Sequence, residues 1–161
     1  MTKNKNPSHY EFKLIFSPDE INKWAEAYES MAKNKKNGSD WKLETDVIES
    51  IAPRVKNNGY IQKEDFLKVC RWKSARPRKH HEGNSPELIE EITRIALSPK
   101  TSDELKIKAL TLLGGIKWPM ASVFLHFFDE QRYPILDFRA LSSLSIPEPK
   151  NGYDVLYDYP F

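Results

Sequence analysis

The sequence predicts an all-α protein, a compact bundle of about seven helices. Apolar residues recur three or four positions apart along most of the chain, and no segment alternates with period two for long enough to require a sheet. The chain has 161 residues, of which 39% are hydrophobic, so it can bury one ordinary core. We therefore expect one helical domain over residues 17–145, between an N-terminal extension, 1–16, and an extended C-terminal tail, 146–161.

The first predicted helix begins at a capping box. In the sequence Ser17-Pro-Asp-Glu20, Ser17 is the expected N-cap, Pro18 fits the first turn and Glu20 completes the box. Apolar residues then recur at helical spacing, so we expect one face of this helix to pack inward. The residues of that face are Ile21, Trp24, Ala25, Tyr28, Met31 and Ala32.

The second and third helices follow a polar loop over residues 33–40. Proline lacks an N–H and clashes with the preceding turn, so Pro53 should end or kink the second helix. The third helix should run from about 62 to 72 and break before Pro77. The inward-facing residues predicted on these two helices are Val47, Ile48, Ile51, Phe66, Leu67 and Cys70.

Two capping patterns mark the next pair of helices. A loop over residues 80–83 should precede the fourth helix, which Ser85 and Pro86 open. The sequence Thr101-Ser-Asp-Glu104 is a second capping box and should start the fifth helix, which Gly114-Gly115 stops. The core-facing residues predicted here are Leu88, Ile89, Ile92, Ile95, Ala96, Leu105, Ala109, Leu112 and Leu113.

The last two helices should start at Pro119 and after Asp137. Aromatic residues at helical spacing usually lie in a core. We therefore expect the core to contain Trp24, Trp41, Phe124, Phe127 and Phe128.

The tail after residue 146 holds three prolines, a glycine and several tyrosines without helical spacing, so it should be extended. It stops abruptly on large aromatic residues. This ending predicts either a missing C-terminal element or a tail that docks on a protein partner or on a second copy of the chain.

Composition excludes several classes of function. The single cysteine, Cys70, cannot form an intramolecular disulfide or supply the thiolates of a zinc or iron–sulfur site, so we expect no cofactor. No apolar stretch is long enough for a membrane span, and the first residues lack the apolar segment of a signal peptide. These features predict a cytoplasmic protein without a membrane partner.

Positive charge is concentrated in one stretch, although the net charge is only +2. From residue 68 to residue 81 the chain carries no carboxylate. The cations of this basic run are Lys68, Arg71, Lys73, Arg76, Arg78 and Lys79, accompanied by His80 and His81. Such a run suits the phosphates of a nucleic acid, although cations also commonly end a helix and offset its dipole.

The stretch from Leu112 to Leu141 has an order that suits phosphate binding. A helix, a glycine turn at Gly114-Gly115 and a second helix are followed by a short loop and an aspartate that opens another helix. A turn of this kind directs backbone N–H groups and a helix N-terminus outward, which favours a phosphate oxygen. Such a contact holds DNA without reading its sequence.

These residues resemble the helix-hairpin-helix DNA glycosylases, the family that includes endonuclease III. That family has Leu-Pro-Gly-Val-Gly before a helix and a catalytic aspartate some sixteen residues past the helix's alanine. Here Leu113-Gly-Gly-Ile-Lys117 stands at the hairpin, and Asp137 lies sixteen positions after Ala121. The close match covers about a fifth of the chain. The resemblance implies a helix-hairpin-helix fold and binding to double-stranded DNA.

Two departures from the family pattern affect the expected chemistry. Lys117 replaces the second hairpin glycine. Pro119 occupies the position at which bifunctional members carry a Schiff-base lysine, and proline cannot act as that nucleophile. The resemblance therefore implies a monofunctional base-excision glycosylase without lyase activity. The iron–sulfur cysteines of some members are also absent.

If the resemblance holds, the target base leaves the stack and a carboxylate stabilises the cationic sugar that forms as the glycosidic bond breaks. Asp137 is the candidate for that carboxylate. Trp72 or Trp118 could stack on a base or wedge into the duplex. The residues expected to bind DNA are Gly114, Gly115, Lys117, Trp118, Arg71, Trp72, Lys73, Arg76 and Arg139.

Plainer interpretations of the same residues remain open. The position of Asp137 is also typical of a simple N-cap, and Gly114-Gly115 is also typical of a helix C-cap and turn. His80 and His81 lack other ligand types nearby, so a metal site there is not expected. The alternative function is a non-catalytic helix-hairpin-helix module that binds nucleic acid or regulates a partner, which the lysine and proline substitutions favour.

Overall fold

The computed structural model describes residues 13–34 and 39–146, and it confirms the all-α prediction, because these residues form helices without a strand. The helices are α1 (Glu20–Asn34), α2 (Ser39–Asp46), α3 (Ala52–Asn58), α4 (Lys63–Lys73), α5 (Arg78–Glu82), α6 (Pro86–Leu97), α7 (Asp103–Thr111), α8 (Trp118–Phe128) and α9 (Phe138–Ser143). The predicted extended tail after residue 146 and most of the N-terminal extension lie outside the described residues.

Pro53 was predicted to end or kink the second helix, and the chain instead stays helical from α2 through to α3. A π-helical turn, Val47–Ile51, joins the two, and the N–H of Ala52 donates to the carbonyl of Val47. A wider turn just before a proline relieves the clash between its ring and the carbonyl four residues earlier. The predicted interruption therefore takes the form of a π turn.

Helix α8 is the centre of the core. Most of its residues are buried, and α3, α4, α6 and α7 all pack against it. The ring of Phe124 stacks on that of Phe66 with centroids 5.2 Å apart. Even so, no helix in the described part of the chain is long and apolar enough to cross a membrane.

The predicted helix starts agree with the structure to within a residue or two. Ser85 Oγ accepts the N–H of Leu88 at 3.2 Å, as an N-cap should. At α7 the cap is Ser102, whose Oγ accepts the N–H of Leu105 at 3.4 Å, so the cap lies one residue later than the start of the predicted box. Asp137 caps α9, as the simpler interpretation of that residue predicted.

The apolar face of α1 is the clearest error of the sequence prediction. Trp24 is 59% exposed and Met31 is 63% exposed, and Ile21 and Tyr28 are also exposed. Ala32 is the buried residue of this helix, which packs against α2. Within the described residues no second element covers this apolar face. The helical spacing of its residues therefore did not predict their burial.

Smaller corrections concern single positions. Five further residues predicted to face the core are exposed: Ile48, Leu88, Ile95, Leu105 and Leu112. Trp41 and Phe127 are only partly buried. The segment expected to be a loop at 80–83 is mostly the short helix α5.

Candidate nucleic-acid interface

The connection between α7 and α8, residues Leu112–Lys117, contains the two glycines that the sequence singled out; we call it the glycine turn. Gly115 has a left-handed backbone with φ of 82°. A Cβ atom at this position would lie 2.6 Å from Cδ2 of His81, closer than unbonded carbons approach each other. Both the backbone angle and the space therefore require glycine here.

A buried asparagine holds the glycine turn in place. Asn84 Oδ1 accepts the N–H of Gly114 at 2.7 Å, and its Nδ2 donates to the carbonyl of the same glycine at 3.0 Å. Nδ2 also bonds to the carbonyls of His80 and His81, so one side chain ties α5 to the turn. Asn84 is 5% exposed, which makes these bonds costly to lose.

The buried ring of His81 packs against the same turn at Gly115. Its Nε2 lies 3.3 Å from the carbonyl oxygen of Gly115, and its ring packs edge-on against Phe66. Burial lowers the pKa of His81 and outweighs the opposite effect of the bond to Gly115, so the ring is held neutral. The sequence did not predict that His81 and Asn84 hold the glycine turn. The polar residues flanking Gly83 were the available signal, but a loop was expected there.

Two backbone donors of the glycine turn are unused. The N–H groups of Gly115 and Lys117 make no hydrogen bond to any described residue. Helix α8 begins directly afterwards, and its N-cap, Lys117, forms no side-chain cap. Unpaired N–H groups beside a helix N-terminus carry partial positive charge and favour an anion.

The glycine turn borders an open cleft of about 680 Å³, whose other wall is the end of α4 and the start of α5. The ionisable residues that line this cleft are Lys73, Lys117 and His80, and no described carboxylate lines it. Leu112, at its edge, is 69% exposed. We call this space the cationic cleft. It brings Lys73 and His80 of the basic run together with the glycine turn.

Asp137 lies beside the cationic cleft and is paired with one of its lining residues. Oδ2 accepts a hydrogen bond from Nζ of Lys73 at 2.9 Å, while Oδ1 accepts the N–H groups of Arg139 and Ala140. Partial burial raises the pKa of Asp137, but the N–H of Ala140 and the charge of Lys73 outweigh it, so its pKa lies below the usual value. The side chain stays 28% exposed.

The remaining cations of the basic run divide into paired and unpaired ones. Lys68 binds Asp46 at 2.8 Å and Arg78 binds Glu82 at 2.6 Å. Three cations have no carboxylate partner among the described residues: Arg71, Arg76 and Lys79. These three are exposed, as a surface that meets phosphates requires.

Both tryptophans proposed as stacking residues pack against the core. Trp118 is 5% exposed and belongs to the core. Trp72 meets the ring of Phe127 edge-on at 4.9 Å, and its Nε1 donates to Glu44 at 3.2 Å. Burial disfavours the stacking role predicted for Trp118, whereas Trp72 is only partly buried and its ring is engaged by Phe127. Arg139, also predicted to bind DNA, is exposed with its guanidinium over the ring of Phe138.

Metal-binding groups do not gather at this surface. In residues 13–34 and 39–146, no set of three or more histidine, cysteine or acidic side chains could hold an ion. Cys70 is buried, and burial raises the pKa of its thiol.

Comparison with known proteins gives no match: no protein-family model matches the chain, and neither does any curated protein or solved structure. What the cationic cleft binds must therefore be inferred from its own residues.

Proposed function

We propose that this protein binds the phosphate backbone of double-stranded DNA through the cationic cleft. The observation that carries the proposal is that the ionisable side chains lining the cleft are Lys73, Lys117 and His80, with no described carboxylate among them. The unpaired N–H groups of Gly115 and Lys117 border the same space. Cations and backbone donors together are the usual partners of phosphate oxygens.

The exposed cations Arg71, Arg76 and Lys79 lie on α4, on α5 and between them, the two helices whose ends form the other wall of the cleft. Each phosphate that they neutralise releases condensed counterions, so binding should weaken steeply as salt rises. The resemblance to helix-hairpin-helix proteins supports the same partner. Contacts of this kind hold DNA without selecting a base sequence.

The binding test is fluorescence anisotropy with a labelled duplex over a series of salt concentrations. Lys117→Glu should weaken binding by about tenfold or more and make the plot of log K against log salt shallower by about 1. Arg76→Glu should act in the same direction. Lys100→Glu makes the same change of charge at an exposed residue outside the cleft and should leave both quantities close to wild type. If Lys117→Glu and Arg76→Glu both bind like wild type, the proposal is wrong.

A second candidate function is monofunctional DNA glycosylase activity. The observation that favours it is the position of Asp137, which is partly exposed and bonded to Lys73, a residue that lines the cleft. Against the effect of partial burial, the N–H of Ala140 and the bond to Lys73 lower the pKa of Asp137 and so favour its ionised form. As the glycosidic bond breaks, the base leaves with the electron pair and the sugar becomes cationic. An ionised carboxylate would stabilise that cation while water adds to it. Pro119 supplies no amine, so strand cleavage by the lyase route is not expected.

The catalytic test scores abasic sites after incubation with a panel of damaged and mismatched duplexes. Asp137→Asn suits this test because asparagine remains a good N-cap, so the helix start is kept while the charge is lost. Activity that disappears in Asp137→Asn would establish the enzyme. Salt-sensitive binding with no base release from wild type would instead identify a non-catalytic DNA-binding module.

A further inference from the structure

A second, smaller cavity of about 230 Å³ lies near the opposite end of α8 from the glycine turn. It is bordered by the end of α3, by the connection between α6 and α7, and by the residues that follow α8. Part of its wall is apolar and includes Ala96, Leu125 and Phe128, all of them buried. The cavity can therefore hold an apolar group away from water.

The feature that distinguishes this cavity is Lys106, a lining residue that is only 6% exposed. Its ammonium group forms no hydrogen bond and no ion pair with any described residue, and its nearest recorded contact is the ring of Tyr133 at 5.3 Å. No fully buried side-chain nitrogen or oxygen among the described residues lacks a hydrogen-bond partner. The Nζ atom therefore keeps some access to solvent, and Lys106 is one of the residues that line the cavity.

Neither carboxylate at the start of α7 is available to Lys106, because Glu104 pairs with Lys108 and Asp103 has two other partners. Asp103 accepts the hydroxyl of Tyr133 at 2.6 Å and Nη2 of Arg132 at 2.8 Å. These bonds hold the pKa of Asp103 below its usual value, with a smaller contribution from the charge of Lys106. Asp129 lines the cavity but forms no ion pair with Lys106. A largely buried ammonium without a partner is unfavourable, and an anion in the cavity would relieve the cost.

We propose that this cavity binds a small organic monoanion, a carboxylate carried on an apolar body. The carboxylate would lie on Nζ of Lys106, and the body would pack against the apolar wall. Charge balance favours a monoanion. Arg132 is neutralised by Asp103, which leaves Lys56 and Lys106 against Asp129 and hence one net positive charge. A dianion such as inorganic phosphate would exceed that charge and gain nothing from the apolar wall.

This site is separate from the cationic cleft. Helix α8 has 11 residues and is therefore about 16 Å long, and the glycine turn and Lys106 cavity lie near its two ends. Failure of DNA binding would leave the anion proposal intact, and failure of anion binding would leave the DNA proposal intact.

The first test is an NMR titration of the wild-type protein with benzoate. Benzyl alcohol, which has the same ring without the charge, and inorganic phosphate serve as comparison ligands. Benzoate should give saturable shifts at Lys106 and Tyr133 with a Kd of about 1 mM, as expected for so small a ligand, and benzyl alcohol should bind at least about tenfold more weakly. The proposal is overturned if benzoate gives no saturable shift, or if either comparison ligand binds as tightly as benzoate.

The second test replaces the ammonium group. Lys106→Met should lose benzoate binding by about tenfold or more and should raise the Tm by a few degrees, because an uncompensated charge leaves the cavity. Lys108→Met, at an exposed lysine on the same helix, should bind benzoate like wild type. Benzoate binding that survives in Lys106→Met would contradict the proposal. If that variant does not fold, the wild-type comparison of benzoate with benzyl alcohol still decides the question.

Discussion

The two ends of α8 place positive charge in opposite ways. At the glycine turn, Lys117 is exposed, and buried neutral side chains, Asn84 and His81, fix the backbone beneath it. Near the other end, the side chains of Tyr133 and Asp103 are joined by a hydrogen bond, while the cation itself, Lys106, is buried. An exposed charge on a rigid turn suits a large polyanion, whereas a buried charge in a small cavity suits a small anion.

The sharpest way to test this comparison is to substitute one glycine from each end. Gly115→Ala should destabilise the protein by about 3 kcal/mol or more, because alanine disfavours the left-handed backbone and its Cβ would strike His81. Gly59 lines the Lys106 cavity and has φ of 73°, but nothing lies within 4 Å of its Cβ position. Gly59→Ala should therefore cost only about 1 kcal/mol. Urea unfolding measures both values, and equal costs would show that His81 does not press on the turn.

The next largest effect concerns the side chains that hold each end. Asn84→Ala should cost about 2 kcal/mol, because it leaves the N–H and carbonyl of Gly114 and the carbonyl of His80 without their side-chain partner. Tyr133→Phe removes one bond to Asp103, which keeps Arg132, so about 1 kcal/mol is expected. The free energy of unfolding from denaturant curves tests this order. A larger loss of stability for Tyr133→Phe than for Asn84→Ala would contradict the expectation that the glycine turn is the more strongly held of the two ends.

These supports show what the sequence could and could not predict. Capping residues such as Ser85 and Asp137 act on N–H groups within three positions, so helix starts were predictable. Asn84 and Gly114 are thirty positions apart, and their bonds depend on how α5 packs against the turn. No local sequence pattern predicts such a contact.

The same limit explains the error at α1. A stripe of apolar residues predicts which face of a helix could be buried but does not supply an element to cover it. Trp24 and Met31 satisfy the pattern and remain exposed. Gly114 and Gly115 line the cationic cleft, and Asp137 reaches it only through its bond to Lys73, which also lines it. The unpaired ammonium of Lys106 had no sequence signal.

The pH dependence of stability tests whether His81 is neutral beneath the glycine turn. Burial holds its pKa below the ordinary histidine value of 6.5. The unfolded chain therefore takes up a proton first as the pH falls, so stability should be constant above about 6.5 and should decline as the pH drops through the lower folded pKa. Urea unfolding between pH 7.5 and about 5 measures this slope. His80→Gln, at an exposed neighbour, should keep most of it, whereas His81→Gln should flatten it. An unchanged slope in His81→Gln would mean that another group titrates.

The smallest expected effect is at the pair formed by Lys73 and Asp137. Lys73→Met should change stability by less than about 1 kcal/mol because both side chains are partly exposed to water. The pKa of Asp137 should nevertheless rise, since Lys73 is one of the groups that lower it, while the N–H of Ala140 remains. A carboxyl NMR titration measures this change. Lys68→Met, which removes the pair with Asp46, is the control and should leave the Asp137 midpoint unchanged.

That titration also connects Asp137 to the cationic cleft. Lys73 lines the cleft, so a phosphate bound there would compete with Asp137 for the same ammonium group. Adding a duplex to wild type should then raise the Asp137 midpoint towards that of Lys73→Met, while Lys117→Glu should need more DNA to reach the same midpoint. A midpoint that DNA leaves unchanged would mean that Lys73 stays with the carboxylate and that the phosphates are held by the glycine turn without it.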